Sequence, residues 1–576
     1  MKIIFKKGVY QTKASAEFIQ KLLRHGWAYN QKDKTWRTSQ TRRVIPFYEY
    51  CAPVAKKRVK ALIRKQRDAI LPSMLEELDV EFEVPHKEGL DYKPFQYAGI
   101  HYMATRNVTL LGDPPGLGKT IQAIGLANLE KPKTILIICP ASLKGMWKKT
   151  WEAWNTLDLE AGIAQGNDFP DTPVVIINYE LVDRHKERID QINLDHLYID
   201  EAHYLGNPGS GRTKAIYGLT DRFTTWMKRQ KNPGIRARKV VVMTGTPVRT
   251  CPHNLWPFLA RFDPDDLGKN YWAFIRRYCD WSAGDVMPPK GGSNLDELQE
   301  KLRKKFMLRR SKTSVLKELP PKTHQIVELP SKGLSTLIKN ETLAIQKALG
   351  DLEALIDAHA TDVWKDEEPG DEDDYESVVG TFNLIEGKDW EEQAGKLAEG
   401  APTPFQEMAA ARKELALAKL PMCVEFIENV IAGADDKVLI FCFHKDVAKA
   451  LTEKFKSCLV ITGDTPVPKR QGIVDLFQSD PSYNPFIGNI TAAGTGHTLT
   501  AASNVVFVEL SWVPSDLEQA SDRAWRIGQV NAVNVWYLVV EGTMDAKMVE
   551  KLVERSQMIS ETIDRPEKDY LAMADD

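Results

Sequence analysis

The residues with the clearest chemical potential form the run Gly112-Asp-Pro-Pro-Gly-Leu-Gly-Lys-Thr120, between the apolar Val108 to Leu111 and the helix-like Ile121-Gln-Ala-Ile-Gly-Leu-Ala. A strand, a glycine-bearing loop ending Gly-Lys-Thr and a helix make a cradle for phosphate. Backbone N–H groups and the helix N-terminus face the anion, Lys119 adds a point charge, and the Thr120 hydroxyl can hold Mg²⁺. Gly116 and Gly118 stand where the backbone must bend, although the usual spacing puts a glycine at position 113 and this chain has Asp113. ATP or GTP is the expected ligand; a bare glycine-rich turn is the plainer possibility that the surroundings must exclude.

Roughly 80 residues later, Asp200-Glu-Ala-His203 follows the apolar Leu197-Tyr-Ile. This places two carboxylates at the edge of a sheet where ligands of open α/β folds bind. Asp200 is assigned with Thr120 to the metal, and Glu201 to orienting and deprotonating the attacking water. An acidic surface turn has the same composition, and the phosphate cradle upstream is what gives the tetrad weight. Met243-Thr-Gly-Thr-Pro247 ends another apolar run, and its hydroxyls Thr244 and Thr246, with His203, are expected to couple the state of the γ-phosphate to the rest of the chain. By itself it would be a plain strand-to-helix turn. Gln96, in Tyr92-Lys-Pro-Phe-Gln96, can offer both donor and acceptor to an adenine edge.

Near the C-terminus, Gln519-Ala-Ser-Asp-Arg523-Ala-Trp-Arg526-Ile-Gly-Gln529 spaces two arginines three apart, on one face of a helix. Guanidinium groups delivered across a cleft stabilise the charge spread over a transferring phosphoryl group, and Gln519 is counted with the ATP-binding residues. A surface helix pairing Asp522 with Arg526 would explain the spacing alone.

Positioning these groups requires sheets. From residue 90 to about 250, the runs Thr134-Ile-Leu-Ile-Ile-Cys139, Val174-Val-Ile-Ile177, Leu197-Tyr-Ile-Asp200 and Val240-Val-Val-Met243 alternate with helix-like segments. Continuous apolar strands in this rhythm predict a parallel sheet covered on both faces. The rhythm returns in Lys437-Val-Leu-Ile-Phe-Cys-Phe443, Leu459-Val-Ile461, Val505-Val-Phe-Val508 and Val533-Asn-Val-Trp-Tyr-Leu-Val-Val540. Between the two lie helical patterns at 334–360 and 404–430 around Asp362 to Asp374, where eight acids and one lysine read as a mobile acidic loop. The expected organisation is a basic head at 1–80, a first lobe at 81–310 and a helical protrusion at 311–410 with its acidic loop at 361–376. A second lobe at 411–556 and a tail at 557–576 complete it.

A length of 576 residues, 43% apolar and 27% charged, suits three or four buried cores. No apolar run reaches the roughly 18 residues of a membrane span, and the N-terminus has no secretory h-region. Seven scattered cysteines without a C-x-x-C pair argue against a zinc ribbon or a disulfide framework and for a reducing compartment. The net charge of −2 conceals a head of 18 Lys/Arg against four acids in residues 1–70. Such a head predicts a polyanionic partner, nucleic acid first, unless it is simply a solvated face.

Together these residues resemble the superfamily-two DNA translocases of the Snf type over roughly residues 90–560. The resemblance rests on Gln96; Asp113 with Gly116-Leu-Gly-Lys-Thr120; Cys139-Pro-Ala-Ser-Leu with Trp147; and Asn178-Tyr-Glu180. It continues through Asp200-Glu-Ala-His203, Thr244-Gly-Thr-Pro247, Leu308-Arg-Arg-Ser-Lys312, Leu319-Pro-Pro-Lys322, Ala492-Ala-Gly-Thr-Gly496, Leu499-Thr-Ala-Ala502 and the arginine run. Asp113 is usual in that group. The resemblance implies two tandem RecA-like parallel-sheet α/β lobes with helical insertions, ATP and Mg²⁺ as cofactors, and movement along double-stranded DNA without necessary strand separation. It further implies DNA contacts, mostly to phosphates, for Ser142, Lys144, Asn178, Tyr179, Gly494, Thr495 and Trp512. Two departures stand out: Pro114-Pro115 replaces the usual Glu-Met, and Gly206 stands where the group tends to carry lysine.

The head, with Gly26-Trp-Ala-Tyr-Asn-Gln-Lys-Asp-Lys-Thr-Trp36 after an amphipathic segment around Phe18, Ile19, Leu22 and Leu23, is similar to the HARP domain of the annealing helicases. Trp27, Tyr29, Lys34 and Trp36 are its spine, and such rings could stack on exposed bases or form the core of a small α+β module. The expected activity is ATP-driven remodelling of branched DNA by reannealing, fork regression or branch migration. The alternatives are a protein-displacing remodeller and, from another class, an ATP-gated DNA-binding scaffold. A monomer is expected, cytoplasmic in a bacterium or phage-infected cell, nuclear in a eukaryote.

Overall fold

The computed structural model describes residues 2–6, 9–14, 18–19, 22, 27–39, 41–79, 81–218, 234–248, 251–281, 291–347, 404–433, 436–490, 498–511, 513–546 and 548–549. The expected acidic loop and C-terminal tail lie outside these. The chain divides into two compact units, one built on Met1–Met74 with Glu300–Lys305, the other on Leu75–Gln299 and Phe306 onward. The head therefore closes at Met74 rather than at 80, and takes up a short piece of the segment expected in the first lobe.

In the head, strands β1 (Ile4–Lys6), β2 (Val9–Thr12), β3 (Ala28–Asn30) and β4 (Thr35–Thr38) form an antiparallel sheet in the order β1-β2-β4-β3. Its alternating burial closes a core of Ile3, Tyr10, Leu22, Trp27, Trp36, Val44 and Phe47, with Ala55 and Val59 of the basic helix Pro53–Ile70.

The larger unit contains both expected sheets, each wholly parallel. The first joins β5 (Val108–Leu111), β6 (Ile135–Cys139), β7 (Ala161–Ile163), β8 (Val174–Asn178), β9 (Leu194–Asp200), β10 (Ala237–Met243) and β11 (Met307–Leu308), in the order β11-β5-β10-β9-β6-β8-β7. β6 and β8 are buried along their whole length, as strands covered on both faces must be. The second sheet joins β12 (Lys322–Leu329), β13 (Lys437–Cys442), β14 (Leu459–Ile461), β15 (Phe486–Asn489), β16 (Ala502–Phe507) and β17 (Val533–Val540), in the order β12-β17-β16-β13-β15-β14. Strands β7, β11, β12 and β15 have no counterpart in the sequence reading. β12 lies inside the stretch expected to be helical protrusion, yet it pairs with β17 over eight residues and so belongs to the second lobe. Its charged Lys322-Thr-His-Gln reads as surface, which an edge strand tolerates.

No described helix is long and apolar enough to cross a membrane. All seven cysteines are free, and six are buried.

Candidate active site

Register brings the chemical residues of the first lobe to one level. Leu111 pairs with Met243, Met243 with Asp200, and Leu308 with Leu111, so the loops after β5, β10, β9 and β11 leave the same carboxyl edge of the sheet. That edge carries the phosphate-type loop, the Thr244 turn, the Asp200-Glu201 pair and Arg309-Arg310.

The loop after β5 turns through Gly116 and Gly118, with φ of +92° and +72°, values open mainly to glycine. Helix Lys119–Glu130 then begins directly from Gly118. Lys119 Nζ donates to the carbonyl oxygen of Asp113 at 2.8 Å. Burial lowers the Lys119 pKa, against the opposing charges of Glu201, Asp200 and Asp113 that converge on it. Gln96 is buried at the start of helix Pro94–Ala104, where the fixed φ of Pro94 suits the first turn. Its Oε1 accepts from the Lys93 backbone at 3.0 Å and its Nε2 donates to Leu117 O at 3.2 Å, so the side chain braces the loop from behind.

Asp113 is fully buried. Arg310 grips both of its oxygens, donating from Nε to Oδ1 at 3.2 Å and from Nη2 to Oδ2, while Gln122 Nε2 donates to Oδ2 at 3.2 Å. Burial opposes ionisation, yet the guanidinium of Arg310 outweighs it and holds the carboxyl below its ordinary range. Arg309 donates to Gly112 O and, at 2.9 Å, to Gly245 O, joining the loop to the Thr244 turn. A Cβ on Gly245 would meet Pro115 Cδ at 2.6 Å. Pro115, one of the two departures in the loop, thus packs directly on that turn.

Trp147 Nε1 donates to Asp200 Oδ2 at 2.7 Å, and Tyr179 OH to Asp200 O at 2.6 Å, fixing both the carboxyl group and the backbone of Asp200. Glu201 follows with φ +52°, a conformation that costs about 1–3 kcal/mol and persists only where the surroundings over-determine it. Burial and then the charge of Glu201 raise the Asp200 pKa. Burial works against Glu201 as well, but His203, Lys119 and Arg523 draw it below its ordinary value. His203 Nδ1 stands 3.2 Å from both Glu201 Oε2 and Thr244 Oγ1, linking the acidic pair to the neighbouring turn. Trp147→Phe removes the donor together with the pyrrole part of the buried indole. The expected result is a loss of about 1–3 kcal/mol in urea unfolding, with no change in secondary structure by circular dichroism.

From the second lobe, Gln519 Nε2 donates to Thr246 Oγ1 at 3.1 Å. A Cβ on Gly116 would stand 2.8 Å from Arg526 Cβ, so the arginine run lies against the loop of the first lobe. Arg523 is buried, with Nε donating to Gln519 O at 3.1 Å. Burial, then the charge of Arg523, lowers Arg526 to about 10. The expected helical face needs correction: the helix is Pro514–Ser521, and Arg523 and Arg526 both lie in the turns that follow it. Asp522 caps that helix and pairs with Lys312 and Lys322.

Several expected DNA contacts also change. Tyr179 is 2% exposed and spends its hydroxyl on Asp200, so it supports the acidic pair from the core. Trp27, 3% exposed and edge-on to Phe47, and Trp36, 8% exposed, are core residues of the head; Tyr29, 50% exposed, is the ring left facing solvent, beside exposed Lys34. Ser142 is half-buried in the turn Ala141–Leu143. Lys144 Nζ donates to Asn178 Oδ1 at 2.8 Å, and Asn178 Nδ2 to Glu180 Oε2 at 2.6 Å, a chain at the edge of β8. Gly494, Thr495 and Trp512 lie outside the described residues.

Sequence reasoning quoted Arg309, Arg310 and Trp147 only as carriers of the resemblance and gave them no role in the site. The signal for the arginines was a charged pair directly after an apolar dipeptide, too short to be read as a strand.

Residues 95–349 match the model of the SNF2-related domain, and residues 419–528 that of the helicase conserved C-terminal domain. The DNA annealing helicase and endonuclease ZRANB3 of Mus musculus is 28% identical over 516 residues, covering 86% of this chain and 43% of that protein. The SWI/SNF-related matrix-associated actin-dependent regulator of chromatin subfamily A-like protein 1 of Xenopus tropicalis is 28% identical over 512 residues, covering 86% of this chain and 47% of that one. The chain thus spans less than half the length of these curated relatives. Among solved structures, the Sulfolobus solfataricus SWI2/SNF2 ATPase core in complex with dsDNA is 21% identical and covers 84% of this chain and 95% of that one, with a TM-score of 0.37. The two lobes thus match, in order, an SNF2-related domain and a helicase conserved C-terminal domain, each on its own parallel sheet.

Proposed function

We propose that the chain hydrolyses ATP on DNA and uses the closing of its two lobes to remodel branched duplexes, by strand reannealing, fork regression or branch migration. The observation that carries this reading is the split site. The phosphate-type loop and Glu201 sit on one lobe, while the turn bearing Arg523 and Arg526 reaches that loop from the other. The relatives named annealing helicases and the basic head, with 18 Lys/Arg in residues 1–70, support branched DNA as the substrate.

The residues present fit ATP with Mg²⁺. Among the described residues no cluster of three or more His, Cys, Asp or Glu is built to hold a metal alone. Mg²⁺ is ordinarily held by one or two carboxylates together with phosphate oxygens. Thr120 and Asp200 would hold it, and it supplies charge neutralisation for the transferring phosphoryl group. In this reading Lys119 swings from the Asp113 carbonyl to the phosphates. Glu201, kept ionised by His203 and Lys119, takes the proton of the attacking water. Arg523 and Arg526 meet the charge that develops on the γ-oxygens. The Gln519 to Thr246 bond and the His203 to Thr244 contact carry lobe closure to the acidic pair. Lys144 and Ser142 contact DNA phosphates from the edge beside β8, and Tyr29 and Lys34 contact a fork or junction from the head.

ATPase stimulation by single-stranded, duplex and forked DNA, measured beside strand-annealing and unwinding, tests the reading. Duplex and forked DNA are expected to stimulate, with annealing exceeding unwinding. Tyr29→Ala with Lys34→Ala is expected to weaken fork processing while leaving ATPase on plain duplex unchanged. Absence of any DNA stimulation would refute the motor, and equal losses on fork and duplex would refute the branched substrate.

A further inference from the structure

The turn that carries the two arginines is not held by a helix, which ends at Ser521. Six contacts tie it to the segment between the sheets. Lys312 Nζ lies 2.6 Å from Asp522 Oδ2, and Lys322 Nζ lies 3.1 Å from Asp522 Oδ1, with side-chain exposures of 3%, 5% and 5% for Lys312, Lys322 and Asp522. Both ammonium groups stand over the Trp525 ring, at 4.7 and 5.3 Å. Lys312 Nζ also donates to Trp525 O at 2.8 Å, and Trp525 Nε1 donates to Pro320 O at 2.7 Å.

Both lysines come from the strap between the sheets, residues 309–321 with Lys322 at its far end. Two residues before Lys312, Arg310 grips Asp113 of the phosphate-type loop. One residue after Asp522 comes Arg523. The strap thus grips the loop of the first lobe at one point and the arginine turn of the second at the next. A buried ion group is no more stabilising than an apolar contact of equal volume. What this one adds is register, because a carboxylate between two ammonium groups capped by an indole fits in one position.

We propose that Asp522, Lys312, Lys322 and Trp525 form a latch of positioning residues that sets the arginine turn against the nucleotide loop. The latch rests on the reading of Arg523 as a group that meets the γ-phosphoryl charge. Locking it aligns the arginines for hydrolysis, and releasing it lets the second lobe part from the first with its own fold intact.

The test is a double-mutant cycle on the full chain, reading kcat of DNA-stimulated ATPase, affinity for a fluorescent ATP analogue, and thermal melting. Asp522→Asn is expected to lower kcat about 10²-fold, the scale of a 1 Å misplacement of a reacting group, with nucleotide affinity unchanged. In an Arg523→Lys background the same change is expected to cost no more than about twofold, the scatter of independent mutations, because the group being positioned is already gone. Trp525→Phe, which removes the indole donor and reduces the ring under both ammonium groups, should show the same non-additivity at smaller amplitude, and it decides the matter if Asp522→Asn does not fold. Losses that multiply in both backgrounds would overturn the latch while leaving the split site standing. A kcat untouched by Arg523→Lys alone would overturn the split site and the latch with it.

Discussion

Glu201→Gln is expected to lower the kcat of DNA-stimulated ATPase about 10²- to 10⁴-fold, with nucleotide affinity nearly unchanged. The substitution keeps the shape of the side chain and leaves the left-handed backbone at φ +52° under the same constraint, so folding is not at issue. What changes is the ability to accept a proton. Burial and the proximity of Asp200 both oppose a second charge at this place, and the structure answers with His203 at 3.2 Å and with the charges of Lys119 and Arg523. The result is a division between neighbouring carboxyl groups: Glu201 stays ionised, while Asp200 is pushed toward its protonated form by burial and by Glu201. Single-turnover hydrolysis beside equilibrium nucleotide binding separates the two roles. A kcat within a few-fold of the natural protein would assign the base to another group.

The second large effect is on stability. Arg310→Ala leaves Asp113 buried without its main counter-charge, and removing one partner of a buried pair costs about 3–5 kcal/mol. The pH dependence distinguishes this from simple loss of packing. In the natural protein Arg310 holds the Asp113 pKa below its ordinary value. The pair therefore contributes stability that is present above the ordinary carboxylate range and lost as pH falls through the lowered value. In Arg310→Ala burial dominates, the pKa rises above the ordinary value, and folding takes up a proton. The variant's deficit should be largest near neutral pH and should shrink as pH is lowered toward 4, the ordinary carboxylate range. A deficit independent of pH, in urea unfolding followed by tryptophan fluorescence, would mean that packing alone is lost.

Much of this architecture was legible because burial writes a simple pattern. β6 is apolar throughout and β8 up to Asn178, and the largely β-branched runs Ile135-Leu-Ile-Ile and Val174-Val-Ile-Ile suit short strands covered on both faces. The acidic pair and the Thr244 turn were legible because each directly follows such a strand. β11 and β12 were not. A two-residue strand has no period, and Lys322-Thr-His-Gln-Ile-Val-Glu-Leu shows no alternation, with Thr323 to Ile326 exposed in a row as an edge strand allows. The aromatic residues of the head misled because Trp27 and Trp36 look the same in sequence whether they stack on bases or close a core of barely a dozen side chains. In so small a module the large rings are needed inside. Tyr179 misled for a related reason, since its hydroxyl is committed to a backbone carbonyl 21 positions away in sequence. The arginine turn shows the limit of spacing arguments: three residues apart suggests a helical face, but proline at 514 starts a helix that ends before the first arginine.

Among the described residues the chain crosses from the first sheet to the second once, between Leu308 at the end of β11 and Lys322 at the start of β12. Thirteen residues, at roughly 3.3–3.6 Å each, reach on the order of 45 Å when taut. That is ample rope for two lobes already in contact, so covalent length does not restrain their parting. The restraint is the set of pins along the rope, and on the proposed motor reading a stroke is then an order of unfastening: which pin yields first, and which must hold while it does.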